Sequence, residues 1–263
     1  MEILVLYALV ATLGTWAVNS LGAATVLFFK SPSEKVLNLM LGFASGVMIS
    51  ASFWSLLEPS IELAEENASL PAYLVATIGF LFGAVFMWIS DKIVPLSRRK
   101  LIVSDGSHNE RLNRIIMLVL SITLHNIPEG LAVGVAFGAL QNGSFTAEAL
   151  MGAITIAVGI GIQNFPEGAI ISMPLKSEGK SKGKAFLLGT LSGAVEPVFG
   201  LLTALLTSAV LTALPYLLSF AAGAMLYVVV EELIPEMSVG ENSNVGVLTF
   251  AVGFSLMMAL DVA

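Results

Sequence analysis

The sequence contains no cysteine and very little charge. None of its 263 residues is Cys, only two are His, and charged residues make up 12%. The missing cysteines exclude a disulfide framework, a thiolate metal site and a thiol nucleophile. Soluble domains carry roughly 25% charged residues. Here hydrophobic residues reach 56% and the mean hydropathy is +0.89, so the composition predicts a membrane protein despite an acidic net charge of −7.

Long apolar runs follow one another along the whole chain. About 20 apolar residues in a helix cross a bilayer core, and the sequence predicts an all-α polytopic membrane fold of eight such helices in one domain, 1–263. The first run reaches Phe29 and lacks a basic region before it, so we interpret it as a permanent span and not a signal peptide. The predicted helices are 3–29, 36–57, 70–89, 115–140, 149–175, 185–210, 211–230 and 245–262, with a polar loop at about 90–114.

All twelve basic residues lie on one side of this topology. They occupy the loops after the first, third and fifth predicted helices, and no lysine or arginine falls within a predicted span. The positive-inside rule makes these loops cytoplasmic and places both termini outside. On the opposite side, the glutamates of "EPSIELAEEN" follow the second helix. They form either a solvated helix end or an acidic mouth that concentrates cations.

A six-residue pattern occurs twice in the middle of apolar runs. It reads "HNIPEG" at 125–130 and "QNFPEG" at 163–168. In each copy the proline removes an amide donor and frees the carbonyl four residues before it, and the glycine lets another backbone approach. The fourth and fifth predicted helices run in opposite directions. Two copies near mid-span therefore indicate an inverted repeat, which is typical of secondary transporters.

The polar side chains of each motif point the same way. Positions i and i+4 share a helix face, so His125 lies with Glu129 and Gln163 lies with Glu167. The sixth predicted helix adds a third carboxylate, Glu196, in "GAVEPVFG". An ionised carboxylate at the bilayer centre costs at least about 2.5–3.5 kcal/mol on the insertion scale. Either a cation compensates these three glutamates, or all three are protonated and hydrogen-bonded between helices.

The donor types narrow the choice of cation. A mixed oxygen and nitrogen set suits Zn²⁺, Fe²⁺ and Mn²⁺ better than Ca²⁺ or Na⁺. Met48 is either a packing residue or an additional soft ligand. An intramembrane hydrolase is an alternative, but the helical HExxH spacing is absent. A cation channel is another, although two metals on shared carboxylates should bind too tightly for channel flux. We predict neither an enzyme nor a nucleic-acid-binding protein.

The paired motifs and the "GAVEP" that follows them resemble the ZIP family of divalent metal transporters. The glutamine that opens the second motif resembles the GufA-like bacterial branch of that family. The resemblance implies a 3+2+3 arrangement, with helices 1–3 and 6–8 inverted around helices 4 and 5, and alternating access. It also implies a homodimer in the lipid bilayer of a bacterial or archaeal inner membrane. The substrate would be a divalent metal ion moving into the cytoplasm, with Zn²⁺ ranked first and Fe²⁺, Mn²⁺, Cd²⁺ and Co²⁺ as others, and no catalytic cofactor.

The resemblance also implies particular ligands for a binuclear mid-membrane site. Glu129 and Glu167 would bridge two metal positions. The first position would add His125, Gln163 and Met48, and the second would add Asn126, Asn164 and Glu196. The same carry-over assigns Ser55 and Glu62 to the entrance route and Asp91, Glu231 and Glu232 to the cytoplasmic exit. One departure stands out, because relatives of this branch can carry Asp where this chain has Asn164.

Overall fold

The fold is built from helices. The computed structural model describes residues 2–28, 33–101, 108–140, 146–177, 179–207, 213–238 and 243–262, and the regular structure within them is helical throughout. The α-helices are α1 (Glu2–Phe28), α2 (Glu34–Ala51), α3 (Glu58–Asn67), α4 (Ala72–Leu101), α5 (His108–Ala139), α6 (Ala147–Ser177), α7 (Lys182–Ser192), α8 (Val195–Thr207), α9 (Leu214–Val228), α10 (Ile234–Met237) and α11 (Ser243–Val262). Two π-helical stretches, Ser52–Leu57 and Val229–Leu233, follow α2 and α9.

Seven helical stretches among the described residues are long and apolar enough to cross a membrane. The predicted span at 115–140 lies largely within α5 and is not one of these seven. The predicted class, an all-α polytopic membrane protein, is confirmed. The bounds differ in places: the second span continues through a π-helical stretch to Asn67, and α4 and α5 extend into the segment predicted as a loop at 90–114.

Each of the two π-helical stretches is followed directly by an α-helix that has a proline at its second position. In the first stretch, the backbone amide of Glu58 donates a hydrogen bond to the carbonyl of Phe53. In the second, the backbone amide of Ile234 donates a hydrogen bond to the carbonyl of Val229. Both bonds span five residues, which is π-helical spacing. A proline follows each closing residue directly and cannot donate a backbone hydrogen bond. Such π-bulges often mark functional positions, and these two contain the predicted entrance residue Ser55 and the predicted exit residues Glu231 and Glu232.

Four helix pairs make the most extensive contacts. They are α1 with α6, α5 with α8, α2 with α11, and α4 with α9. Glycine allows the close approach: a Cβ added at Gly46 of α2 would collide with the backbone of Phe250 in α11, and one added at Gly83 of α4 would collide with the backbone of Phe220 in α9. Small residues serve this purpose at interfaces between transmembrane helices.

The helices α5 and α6, which carry the two motifs, occupy the centre of this arrangement. They contact each other, α5 also contacts α1, α8 and α9, and α6 also contacts α1, α2 and α7. On α1, α4 and α11, large apolar side chains such as Phe82 and Leu248 are exposed. An exposed apolar exterior suits a lipid environment, whereas the polar motif residues Asn126, Glu129, Gln163 and Asn164 are buried.

Candidate metal site

The interface between α5 and α6 brings the two motifs together. Gln163 Nε2 donates a hydrogen bond to Glu129 Oε1 at 2.5 Å, and both side chains are fully buried. The carboxyl groups of Glu129 and Glu167 lie in hydrogen-bonding contact, and Glu196 interacts electrostatically with both. Both helices continue through their motif prolines without a break. The two motifs therefore face each other at the same depth.

The sixth span is broken just before its glutamate. α7 ends at Ser192 and α8 begins at Val195. Pro197 has no amide hydrogen to donate to the carbonyl of Gly193, and the amide of Glu196 bonds to that carbonyl instead, at 3.0 Å. Glu196 thereby lies in the first turn of α8, where the positive end of the helix dipole favours a carboxylate.

Glu196 receives hydrogen bonds from three neutral side chains on three other helices. Thr15 Oγ1 of α1 donates to Oε2 at 2.5 Å, and Asn164 Nδ2 of α6 donates to the same oxygen at 2.8 Å. Asn126 Nδ2 of α5 lies 3.5 Å from Oε1. A Cβ on Gly130 would lie 2.6 Å from the carbonyl oxygen of Glu196, so the predicted close backbone approach at this glycine is confirmed.

Several buried oxygen atoms in this region have no hydrogen-bond partner among the described residues. They are Asn126 Oδ1, Glu129 Oε2, Gln163 Oε1, Asn164 Oδ1 and Glu167 Oε2. A buried unsatisfied polar group costs about 1–3 kcal/mol, and carboxylate and amide oxygens are common ligands of divalent cations. No lysine or arginine side chain is buried in the described part of the chain. This donor set fits a divalent cation.

Carboxylates alone do not complete a coordination sphere here. Among the described side chains, which do not include that of His125, no three His, Asp or Glu groups gather closely enough to hold a metal ion. Each of the three amide side chains, Gln163, Asn164 and Asn126, donates a hydrogen bond to one of the carboxylates. Amide oxygens would therefore have to supply part of any metal's coordination.

Two predicted ligands, Met48 and His125, are not seen in contact with these buried polar groups in the part of the chain that the structure describes. Met48 is buried in an apolar cluster that also contains Ala132 and Val133, one turn after Glu129. The backbone of His125 belongs to α5, whereas its side chain lies outside the described residues. Six predicted ligands lie in or next to the buried groups described above: Asn126, Glu129, Gln163, Asn164, Glu167 and Glu196.

The predicted entrance residues lie at the far end of the second span. Ser55 Oγ donates to Asp261 Oδ1 of α11 at 2.6 Å, and Asp261 interacts electrostatically with Glu58. Glu62 is exposed and, with Glu58 and several aromatic side chains, lines an open groove of about 720 Å³. Sequence reasoning missed Asp261, although it is the single acidic residue in the predicted span 245–262.

Two of the three predicted exit residues, Glu231 and Glu232, directly follow α9. Glu231 is exposed and lines a groove of about 230 Å³ between α4 and α9, together with Phe80 and Tyr227. Glu232 is half-buried in the same π-helical stretch. Asp91 belongs to the helical backbone of α4, and its side chain lies outside the described residues.

Sequence reasoning also missed the polar face of α1. Thr12, Thr15 and Asn19 are buried on one side of this otherwise apolar helix. Asn19 Nδ2 donates to the carbonyl of Gly189 at 2.9 Å, which fastens α1 to α7 next to the break in the sixth span. The spacing of these three residues, i, i+3 and i+7, follows one helix face and was the available signal.

These features define a polytopic helical membrane protein with a buried acidic site between its central helices. Residues 103–261 match the family model described as "ZIP Zinc transporter". The chain is 38% identical to "Zinc transporter ZIP11" of Xenopus tropicalis, over 98% of this chain and 97% of that protein. It is 35% identical to "Zinc transporter GufA" of Myxococcus xanthus, over 97% of this chain and 98% of the relative. It is 33% identical to "Zinc transporter ZIPB" of Bordetella bronchiseptica, over 98% of this chain and 81% of that protein.

The chain belongs to the ZIP family of zinc transporters. The resemblance to its GufA-like branch is confirmed by the similarity along nearly the whole of the Myxococcus protein. Members of this family are membrane metal transporters and not enzymes, so the class predicted from the motifs is also confirmed.

Proposed function

We propose that this protein carries divalent transition metal ions into the cytoplasm, with Zn²⁺ as the first candidate and Fe²⁺, Mn²⁺, Cd²⁺ and Co²⁺ as further substrates. The observation that carries the proposal is the set of three mutually interacting buried carboxylates, Glu129, Glu167 and Glu196, with no buried lysine or arginine among the described residues. Intramembrane ionisable residues are functional by default. The three relatives compared above are named zinc transporters, which supports Zn²⁺.

We further propose that the site holds two metal positions. The first would use Gln163 with His125 and Met48, the second would use Asn126, Asn164 and Glu196, and Glu129 and Glu167 would be shared. Two separate hydrogen-bonded groups support this division. One joins Gln163 to Glu129, and the other joins Asn126 and Asn164 to Glu196.

Transport would proceed by alternating access in a 3+2+3 inverted repeat. Inversion exchanges the first three spans with the last three and α5 with α6. The contact of α1 with α6 then corresponds to that of α8 with α5, and the contact of α2 with α11 to that of α9 with α4. These four pairs are the most extensive, which supports the repeat. They also separate a moving group, α1, α5, α6 and α8, from a scaffold of α2, α4, α9 and α11.

The protein would be a homodimer in the lipid bilayer of the inner membrane of a bacterial or archaeal cell. Both termini would lie on the side of the membrane opposite the cytoplasm. The orientation can be tested because the parent has no cysteine. Ser69→Cys, in the exposed turn after α3, should react with an impermeant thiol reagent added to intact cells. Ser181→Cys, which precedes α7, should react only after permeabilisation. Labelling of Ser181→Cys in intact cells would contradict the proposed orientation and, with it, the proposed direction of transport.

Metal uptake into proteoliposomes tests the function itself. We expect saturable uptake of ⁶⁵Zn²⁺, competed by the other candidate metals, and its loss in Glu167→Ala. Glu66→Ala, measured at saturating metal, is the matched control, because Glu66 is an exposed glutamate at the end of α3. Parental uptake by Glu167→Ala would contradict the proposed site. Flux that does not saturate, accompanied by single-channel currents, would assign the protein as a channel.

A further inference from the structure

We propose that Thr15 of α1 is an additional oxygen ligand of the second metal position, whose other proposed ligands are also oxygen donors. This inference rests on the proposed function for the existence of the position, but no part of the predicted ligand set includes α1. Thr15 Oγ1 lies 2.5 Å from Glu196 Oε2, and the Thr15 side chain is buried.

The hydroxyl of Thr15 and the amide of Asn164 meet at a single carboxylate oxygen. Asn164 Nδ2 lies 2.8 Å from Glu196 Oε2 and 3.3 Å from the backbone carbonyl oxygen of Thr15. All three side chains are buried, and Asn164 Oδ1 has no hydrogen-bond partner among the described residues. A cation bound at Oε2 would therefore take the place of the two hydrogens that these groups now direct there.

The hydroxyl of Thr15 has a second acceptor available for its proton. Thr15 Oγ1 also lies 3.0 Å from the carbonyl oxygen of Thr12. A hydroxyl carries one hydrogen and two lone pairs. When a cation binds at Glu196, the hydrogen can turn to the Thr12 carbonyl and leave the lone pairs facing the cation. No backbone movement is needed for this change.

The rest of α1 keeps Thr15 in place. Trp16 Nε1 donates to the carbonyl of Thr190 at 2.7 Å, and Asn19 Nδ2 donates to that of Gly189 at 2.9 Å. These bonds fasten α1 to the C-terminal turn of α7, just before the break that precedes Glu196. The contacts of α1 with the end of α7 thus hold Thr15 close to the turn that leads to Glu196.

A position completed in this way has a distinct metal preference. Its own donors are a hydroxyl, a carboxylate and the amide oxygens of Asn126 and Asn164. Oxygen donors suit Mn²⁺, whereas imidazole and thioether donors favour later or softer metals. We therefore expect the preference for Zn²⁺ over Mn²⁺ to be smaller at this position than at the first position, which would use His125 and Met48.

Equilibrium binding of Mn²⁺ and Zn²⁺ to the purified full chain in detergent tests this assignment, with stoichiometry from native mass spectrometry. Thr15→Val should weaken the second bound equivalent by about tenfold or more, since loss of a group that supports metal binding typically costs 10–100-fold. Thr15→Ser keeps the hydroxyl and should bind like the parent. Thr12→Val is the matched control, because Thr12 is buried on the same helix and bonds to the carbonyl of Ala8 at 2.8 Å.

Equal binding by Thr15→Val and Thr12→Val would overturn the inference. If Thr15→Val also loses its first equivalent of Zn²⁺, it has lost its fold, and Thr15→Ala is titrated in its place: undiminished binding of the second equivalent by Thr15→Ala would overturn the assignment. Uptake by the parent in proteoliposomes is measured beside these titrations. A parent that binds the second equivalent through Thr15 but moves no metal would contradict the proposed function alone.

Discussion

The two hydrogen-bonded groups at the centre of the protein differ in the number of hydrogen-bond donors around each carboxylate. Glu129 accepts one hydrogen bond, from Gln163, and its other close polar neighbour is the carboxyl group of Glu167. Glu196 is surrounded by neutral donors on α1, α5 and α6. Two carboxylates in contact repel each other unless a proton or a cation lies between them. The first group therefore needs a proton or a cation between its two carboxyl groups, whereas the single carboxylate of the second group does not.

This difference has a simple origin in the residue types. The first group pairs two acids with one amide, whereas the second pairs one acid with two amides and a hydroxyl. Hydrogen bonds to a buried carboxylate offset much of its desolvation cost. We therefore expect the first group to be essential for transport and the second to adjust affinity, and the following variants can break or sharpen that division.

The largest effect is expected from Glu129→Ala. It removes a carboxylate proposed to be shared by both metal positions, so saturable uptake should fall by about 100-fold or more, because loss of a mere outer partner of a metal ligand already costs about 10–100-fold. Zinc uptake into proteoliposomes measures this, with Glu66→Ala as the control at an exposed glutamate. Uptake near the parental rate would remove the basis for ranking the first group above the second.

A smaller effect is expected from Glu196→Gln. The substitution keeps the shape of the side chain but removes the charge of the second group, so the second equivalent of bound metal should be lost. Uptake should fall by about tenfold and remain saturable. Stoichiometry by mass spectrometry and uptake kinetics would be measured together. Complete loss of transport with the first equivalent still bound would show that the second position is obligatory.

Asn164→Asp should have the opposite sign. It places a second carboxylate beside Glu196, and an added negative charge strengthens attraction for a dication in a site of low dielectric. We expect tighter binding of the second equivalent, by about tenfold for each 1.4 kcal/mol gained. Slower release should lower maximal uptake while apparent affinity improves. Unchanged affinity at the second position would indicate that Asn164 does not contact the metal.

The smallest effect is expected at the proposed entrance, where Asp261 is less buried than the carboxylates of either central group. Asp261→Asn keeps an acceptor for Ser55 but removes a charge close to Glu58. Uptake at low zinc concentration should fall by about threefold, through weaker attraction of cations to the mouth. The difference should shrink as salt rises, because salt screens such charges. A salt-independent loss would instead make Asp261 a direct ligand.

Much of the central site was predictable because it depends on short-range geometry. A residue and its i+4 neighbour share a face on any helix, so the common orientation of Gln163 and Glu167 toward Glu129 could be predicted from the letters of "QNFPEG". The close approach at Gly130 was predictable for a similar reason, since glycine beside a motif proline offers no side chain to obstruct a neighbour. The helix bounds were less accurate, because α4 and α5 continue into polar sequence where hydropathy no longer marks them.

The sequence by itself determined the membrane class, the approximate spans and most of the acidic and amide residues at the centre. These depend on composition and on spacing within single helices. Only the tertiary structure decided that Thr15 donates to Glu196, 181 positions along the chain, and that Ser55 donates to Asp261, 206 positions away. It also decided that Trp16 and Asn19 donate hydrogen bonds to the end of α7, just before the break in the sixth span. Such contacts depend on which helices pack together and at what depth, and no local pattern of residues specifies that.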